Sequence, residues 1–215
     1  MKILVTGGTG LIGRHFINAF HHKYQITVLT RNTQKAQLYL PKNIEFIDQL
    51  PEQSDFDVII NLAGEPIVDK RWTRAQKEII CQSRWNITEK IVAMIARATV
   101  KPSCLISGSA IGYYGETGSV STHEDAQVIH SDFAHTLCQK WEKLALKAKD
   151  HCRVVLLRTG VVLASDGGAL EKMRLPFSVG LGGKLGHGQQ YMSWIHIDDM
   201  IHAIHFSLQI ECIEG

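Results

Sequence analysis

Glycines 7, 8, 10 and 13 do most to constrain the fold, because they stand between an apolar β-branched run and an apolar helical pattern. The segment reads Lys2-Ile-Leu-Val-Thr-Gly-Gly-Thr-Gly-Leu-Ile-Gly-Arg14. Gly8, Gly10 and Gly13 satisfy G-x-G-x-x-G, and Gly7, Gly10 and Gly13 satisfy G-x-x-G-x-x-G. A chain with this spacing turns sharply out of a strand, brings its backbone close to a pyrophosphate and packs the next helix tightly on the sheet. The positive end of that helix and its free N–H groups then face the phosphates. Backbone contact is expected from Gly7, Thr9, Gly10, Leu11, Ile12 and Gly13.

The rest of the chain alternates strand-like and helix-like runs. Strands are predicted at 2–6, 25–30, 44–47, 57–61, 103–107 and 153–158. Helices are predicted at about 11–22, 33–39, 73–98, 131–149, 168–175 and 198–209. This order implies βαβ units and an α/β fold: a doubly wound, Rossmann-type parallel sheet with helices on both faces. The expected division is a nucleotide-binding domain over 1–165 and a smaller substrate-binding part over 166–215, interleaved with the end of the sheet. Gly167-Gly168 and the glycine-rich stretch 180–188 mark the second part as rich in loops.

Composition narrows the class of function. With 215 residues, 45% hydrophobic and 20% charged, the chain can bury a full core. A net charge of +2 lacks the concentrated basic face of a nucleic-acid binder, and no apolar run reaches membrane-spanning length. The N-terminus enters a strand directly, so a cytoplasmic location is expected. Five cysteines without a C-x-x-C pair read as free thiols. His196, Asp198, Asp199, His202 and His205 are the nearest approach to a ligand set, and read better as helix residues than as a metal site.

The end of the second strand indicates which nucleotide. An acidic residue there holds a ribose 2′-hydroxyl, whereas an arginine accommodates a 2′-phosphate. The strand Ile26-Thr-Val-Leu-Thr30 leads into Arg31, with no Asp or Glu at 30–33 and Lys35 close behind. A planar guanidinium suits a phosphate, so NADP(H) is the expected cofactor. Leu62, Ala63 and Gly64, where the fourth strand ends, give the small backbone that would run beside it.

These segments together resemble the extended short-chain dehydrogenase/reductases, the NAD-dependent epimerase/dehydratase superfamily. Thr6-Gly-Gly-Thr-Gly-Leu-Ile-Gly13 matches its T-G-G-x-G-x-x-G turn, and Asn61-Leu-Ala-Gly64 its N-x-A-[GA] segment. Ile106-Ser-Gly-Ser-Ala-Ile-Gly-Tyr-Tyr-Gly115 resembles its serine-bearing strand end, and Trp194-Ile-His-Ile-Asp-Asp199 its [FW]-[IV]-H-[IV]-D-D segment. With Glu65-Pro-Ile67, Arg71-Trp-Thr73 and Ser83-Arg84, the chain looks like the atypical subfamily labelled "epimerase family protein".

The resemblance implies an oxidoreductase or epimerase-like enzyme acting on a small polar metabolite, a class that includes sugar-nucleotide-like compounds. It also implies Ser109 as the superfamily's serine, and a turn after the sixth strand, Thr159 to Val162, that covers the nicotinamide. Ser107, Glu65 and Arg158 fall where they would meet the cofactor or its substrate, with a structural carboxylate as the other partner open to Arg158. Members of the superfamily continue well beyond the Asp198-Asp199 helix, so an incomplete substrate part is expected. They pair through two long helices, here 73–98 and 131–149, which makes a homodimer the implied assembly.

One departure is sharp. The superfamily's acid/base pair is Tyr-x-x-x-Lys, in which the lysine and the nicotinamide charge depress the phenol pKa. That spacing occurs nowhere in this chain. If Glu142 is set on the superfamily's glutamate just after the pair, Ala134 takes the tyrosine position and Cys138 the lysine position. Tyr113 and Tyr114 are the phenols that could substitute, with His135 and Cys138 as lesser candidates. An alternative therefore stands open, a non-catalytic NADP(H) sensor or scaffold, with another nucleotide or a flavin as a third reading.

Overall fold

The computed structural model describes residues 1–126, 131–184 and 186–215. His130, which opens the segment set on the acid/base helix, and Leu185 in the glycine-rich stretch lie outside these residues.

Six strands form one parallel sheet: β1 (Lys2–Thr6), β2 (Gln25–Leu29), β3 (Glu45–Ile47), β4 (Val58–Asn61), β5 (Cys104–Ala110) and β6 (Arg153–Thr159). Their order is β3-β2-β1-β4-β5-β6. Strand direction reverses its progress across the sheet between β1 and β4, and a crevice opens there at the carboxyl ends. The register Thr6↔Asn61, Asn61↔Ser107 and Ala110↔Thr159 brings the ends of four strands to that one edge.

The central strands are apolar on both faces, as a sheet covered on both sides requires. Ile3, Val5, Val28, Ile60 and Ile106 point to one layer, where Phe16 and Ile17 of α1 (Leu11–Phe20) and Ile201 and Ile204 of α6 (Ile197–Gln209) pack on them. Leu4, Ile59, Leu105 and Val154 point to the other, against Ile91, Met94 and Ile95 of α3 (Arg74–Arg97) and Ala145 of α4 (Phe133–Ala145). The remaining helices are α2 (Thr33–Gln37) and α5 (Gly168–Ser178). Thr73 caps α3 by accepting from the Gln76 N–H, and Asp132 caps α4 by accepting from the His135 N–H.

Two features differ from the sequence expectation. The run after β6 folds back as β7 (Val161–Ala164), which pairs in parallel with β8 (Trp194–His196) in a separate two-stranded sheet. The helix expected at 131–149 is α4 followed by a single tighter turn at 146–148. Strands this short are carried by tertiary pairing rather than by their own apolar pattern. Among the described residues, no helix is long and apolar enough to cross a membrane.

Candidate active site

The glycine turn accounts for itself residue by residue. Gly7 has φ +69°, and a Cβ there would lie 2.5 Å from the Leu62 carbonyl oxygen. A Cβ on Gly13 would lie 2.5 Å from the Gly7 oxygen and 2.7 Å from the Gly8 Cα. These two glycines serve the packing of β1, α1 and β4 on one another. Gly10 is different: its φ is −74°, it is exposed, and its missing Cβ would meet only the Gly7 oxygen, at 3.2 Å. It is also the N-cap of α1, with no side-chain cap and no acidic residue in the first turn. The first N–H groups of α1 are thus left to an outside acceptor, whereas Asn32, Thr73 and Asp132 cap their own helices.

Thr9 is exposed beside Gly10, and Leu11 and Ile12 are half-buried. Leu11 lies against the Gly167-Gly168 corner, which Arg14 and His15 fasten by holding Asp166 at 3.0 Å each. Leu62 and Ala63 run directly past Gly7, and Gly64 follows on the surface. Arg31 is exposed just beyond β2, and its charge acts on Glu65. Glu65 itself is engaged: Lys70 donates to its carboxylate at 3.0 Å and, as the largest influence, holds its pKa below the usual range.

The serine-bearing strand end supports a different network from the one expected. Ser109 donates its hydroxyl to Glu142 Oε1 at 2.5 Å. Arg158 grips the same carboxylate with Nε and Nη2, both at 2.9 Å. Its Nη1 donates to the Tyr114 hydroxyl at 3.0 Å and to the Glu124 carbonyl at 2.6 Å. The guanidinium carbon lies 3.7 Å from the centre of the Tyr113 ring. The paired carboxylate raises the Arg158 pKa further.

This geometry shows how three sets of residues assigned from the sequence are engaged within the chain. Arg158 donates to Glu142, Tyr114 and Glu124, so it clasps strand, helix and loop. Tyr113 and Tyr114 pack on Arg158, and the Tyr113 carbonyl accepts from His135 Nδ1 at 2.5 Å. Neither phenol is among the residues lining the cavity described below. Ser107 is fully buried and donates to the Gly108 carbonyl at 3.3 Å, inside its own strand.

Beyond the glycine turn lies a cavity of about 230 Å³. Ser109, Thr159 and Val162 line one side and Ala134, Cys138 and Trp141 of α4 another, with Arg84 of α3 reaching in. A Cβ on Gly112 would meet the Ala134 Cβ at 2.9 Å, so the 111–114 turn sits tightly on the place the superfamily gives to tyrosine. Burial pushes the Cys138 thiol up to about 11, which leaves it protonated and poorly nucleophilic at neutral pH. Beneath the cavity a buried network ties the layers together: Thr6 Oγ1 donates to Asn61, Asn61 donates to Thr88 Oγ1, and Trp141 Nε1 donates to the same oxygen.

Comparison with known proteins agrees with this architecture. The family model described as the NAD dependent epimerase/dehydratase family matches residues 3–211. The chain belongs to that family. An "Epimerase family protein" of Staphylococcus epidermidis is 39% identical over 221 residues, covering 100% of this chain and 73% of that protein. A chloroplastic epimerase family protein of Arabidopsis thaliana is also 39% identical, over 226 residues and 64% of its own length. Among solved structures, the human epimerase family protein SDR39U1 with NADPH superposes with a TM-score of 0.87 at 30% identity, covering 100% of this chain and 72% of that one.

Two residues the sequence reading left without a role become prominent. Glu142 was used only as an alignment marker and proves to be the hub that holds both Ser109 and Arg158. Arg84 stands on the buried stripe Ile80, Arg84, Thr88, Ile91 of α3, where an arginine interrupts an apolar spacing. That interruption is visible in the sequence and was the available signal.

Proposed function

We propose that the chain is an NADP(H)-dependent oxidoreductase or epimerase-like enzyme acting on a small polar metabolite in the crevice between β1 and β4. The observation that carries this reading is the uncapped start of α1 at Gly10. It opens beside Leu62–Gly64 at the switch point of the sheet, with Arg31 where an acidic residue would select NAD. The residues fit the group: Gly10 offers the backbone approach a pyrophosphate needs, and Arg31 offers a fork for a 2′-phosphate. SDR39U1 has been solved with NADPH, in keeping with this choice. The cofactor, when bound, supplies or accepts a hydride.

The chain's own contribution is positioning and charge. Ser109 faces the cavity with its proton committed to Glu142, so it can accept a hydrogen bond from a substrate hydroxyl. Binding is tested by titrating the protein with NADP(H) and NAD(H) in parallel and following thermal stability. Stabilisation selective for the phosphorylated pair is expected, and equal or absent shifts would refute the assignment.

A second reading is favoured by Ala134 and Cys138: a protein that binds NADP(H) and senses it without turnover. NADPH oxidation in the presence of a panel of small carbonyl compounds separates the two. Cofactor binding without oxidation across the panel would select the sensor.

A further inference from the structure

Arg84 is the unexplained charge in this molecule. Its side chain is 8% exposed, lies over Gly64 closely enough that a Cβ there would meet Cζ at 2.6 Å, and stands 5.4 Å from the Trp141 ring. Nη1 donates to the Ile80 carbonyl at 3.0 Å and, more weakly, to Ser83 Oγ at 3.4 Å. Nε has no hydrogen-bond partner among the described residues. The acid that acts on it electrostatically is Glu65, whose carboxylate is held by Lys70. A buried guanidinium left in this state is costly unless something pairs with it.

The cavity that Arg84 reaches into is walled by Ile67, Trp72, Phe133, Leu137 and Trp141. Its volume of about 230 Å³ falls below the range of drug-sized ligand pockets and suits a small molecule. Cys138, at the position the family resemblance gives to lysine, lines the same cavity and feels the Arg84 charge. The cation at this cavity thus comes from α3, while α4 contributes a thiol.

We propose that this cavity takes a small organic carboxylate, with its apolar body between Trp72, Phe133 and Trp141 and its anionic end on Arg84. This names the substrate class for the cofactor-dependent reading above and rests on it for the substrate role. Binding itself is independent of that reading and is measured both with and without NADP⁺.

Benzoate and its neutral amide, benzamide, are the probes, with tryptophan fluorescence and thermal shift as readouts. Benzoate is expected to bind the native chain at least about tenfold more tightly than benzamide. Arg84→Met, which keeps the aliphatic stem, is expected to lose about tenfold or more in benzoate affinity while benzamide and NADPH affinities stay within about twofold. Its melting temperature is expected to equal or exceed that of the native chain, because a purely structural arginine would lower it. Equal affinities for the two probes, or a variant that still binds benzoate tightly, would overturn the proposal. A matching loss of NADPH affinity would overturn it too, by assigning Arg84 to a cofactor phosphate. Should Arg84→Met fail to fold, the benzoate and benzamide comparison on the native chain decides. A cofactor titration without response beside a benzoate response would sink only the NADP(H) reading.

Discussion

Gly10 and Gly13 lie one helical turn apart and serve different needs. At Gly13 the neighbours of an added Cβ are backbone atoms at 2.5 and 2.7 Å, which cannot give way. Gly13→Ala is expected to destabilise the fold by roughly 1–3 kcal/mol, read from a denaturant midpoint. At Gly10 the only contact is 3.2 Å in an ordinary backbone conformation, so Gly10→Ala should fold with nearly native stability yet bind NADPH more weakly. Unchanged affinity in that variant would remove the pyrophosphate from this turn. Arg31→Asp should weaken NADPH far more than NADH, since a carboxylate beside a 2′-phosphate repels where a guanidinium attracts. A constant ratio of the two affinities would contradict the 2′-phosphate role. The strand, glycine turn and helix were legible because they are set by residues a few positions apart. The role of Arg158 was not, because one arginine at a strand end reads the same whether it meets a ligand or Glu142.

At the scale of elements, α4 shows how a helix can keep its place and change its chemistry. Its cap, its apolar stripe and its packing on β5 survive, with Gly108 bare enough for the Trp141 ring to lie where a Cβ would be 3.0 Å away. The positions that would carry the acid/base pair hold alanine and a buried thiol instead. Glu142 holds the helix to β5 and β6, and Arg158 carries the tie on to Tyr114 of the 111–114 turn. Glu142→Ala leaves the half-buried Arg158 without its counter-charge and is expected to cost about 3 kcal/mol, whereas Ser109→Ala is expected to cost about 1 kcal/mol. Equal denaturant midpoints for the two variants would contradict this ranking. The strands β7 and β8 were not legible. Each is short, Trp194 is exposed, and their pairing joins residues some thirty positions apart in sequence, so no local period marks them.

Over the whole molecule, three thiols link stability to pH. Burial raises Cys104, Cys138 and Cys152 each to about 11, against an unperturbed value of 9.0. The folded state thus holds these protons to a higher pH than the unfolded chain does. Their contribution is complete below about pH 9 and is lost as pH rises through about 11. Melting temperature should therefore fall across that interval, and replacing the three by alanine should flatten the fall. Iodoacetamide at pH 8 should alkylate exposed Cys212 first and leave the buried Cys81, Cys104 and Cys138 largely unmodified, as peptide mass mapping would show.

The sequence by itself determined the doubly wound sheet, the glycine turn, the replacement of an acid by Arg31 and the loss of Tyr-x-x-x-Lys. Each of these is written in residues close together, where φ restrictions, helical or strand period and fixed spacing act. Only the tertiary structure decided that Ser109 and Arg158 meet on Glu142, that Tyr113 and Tyr114 lie against Arg158, and that Arg84 enters the cavity. Those pairings bridge 33 residues between Ser109 and Glu142 and 44 between Tyr114 and Arg158. What a buried polar group does depends on which partner the folded chain brings to it, and a buried charge left unpaired becomes visible only once all its neighbours are in place.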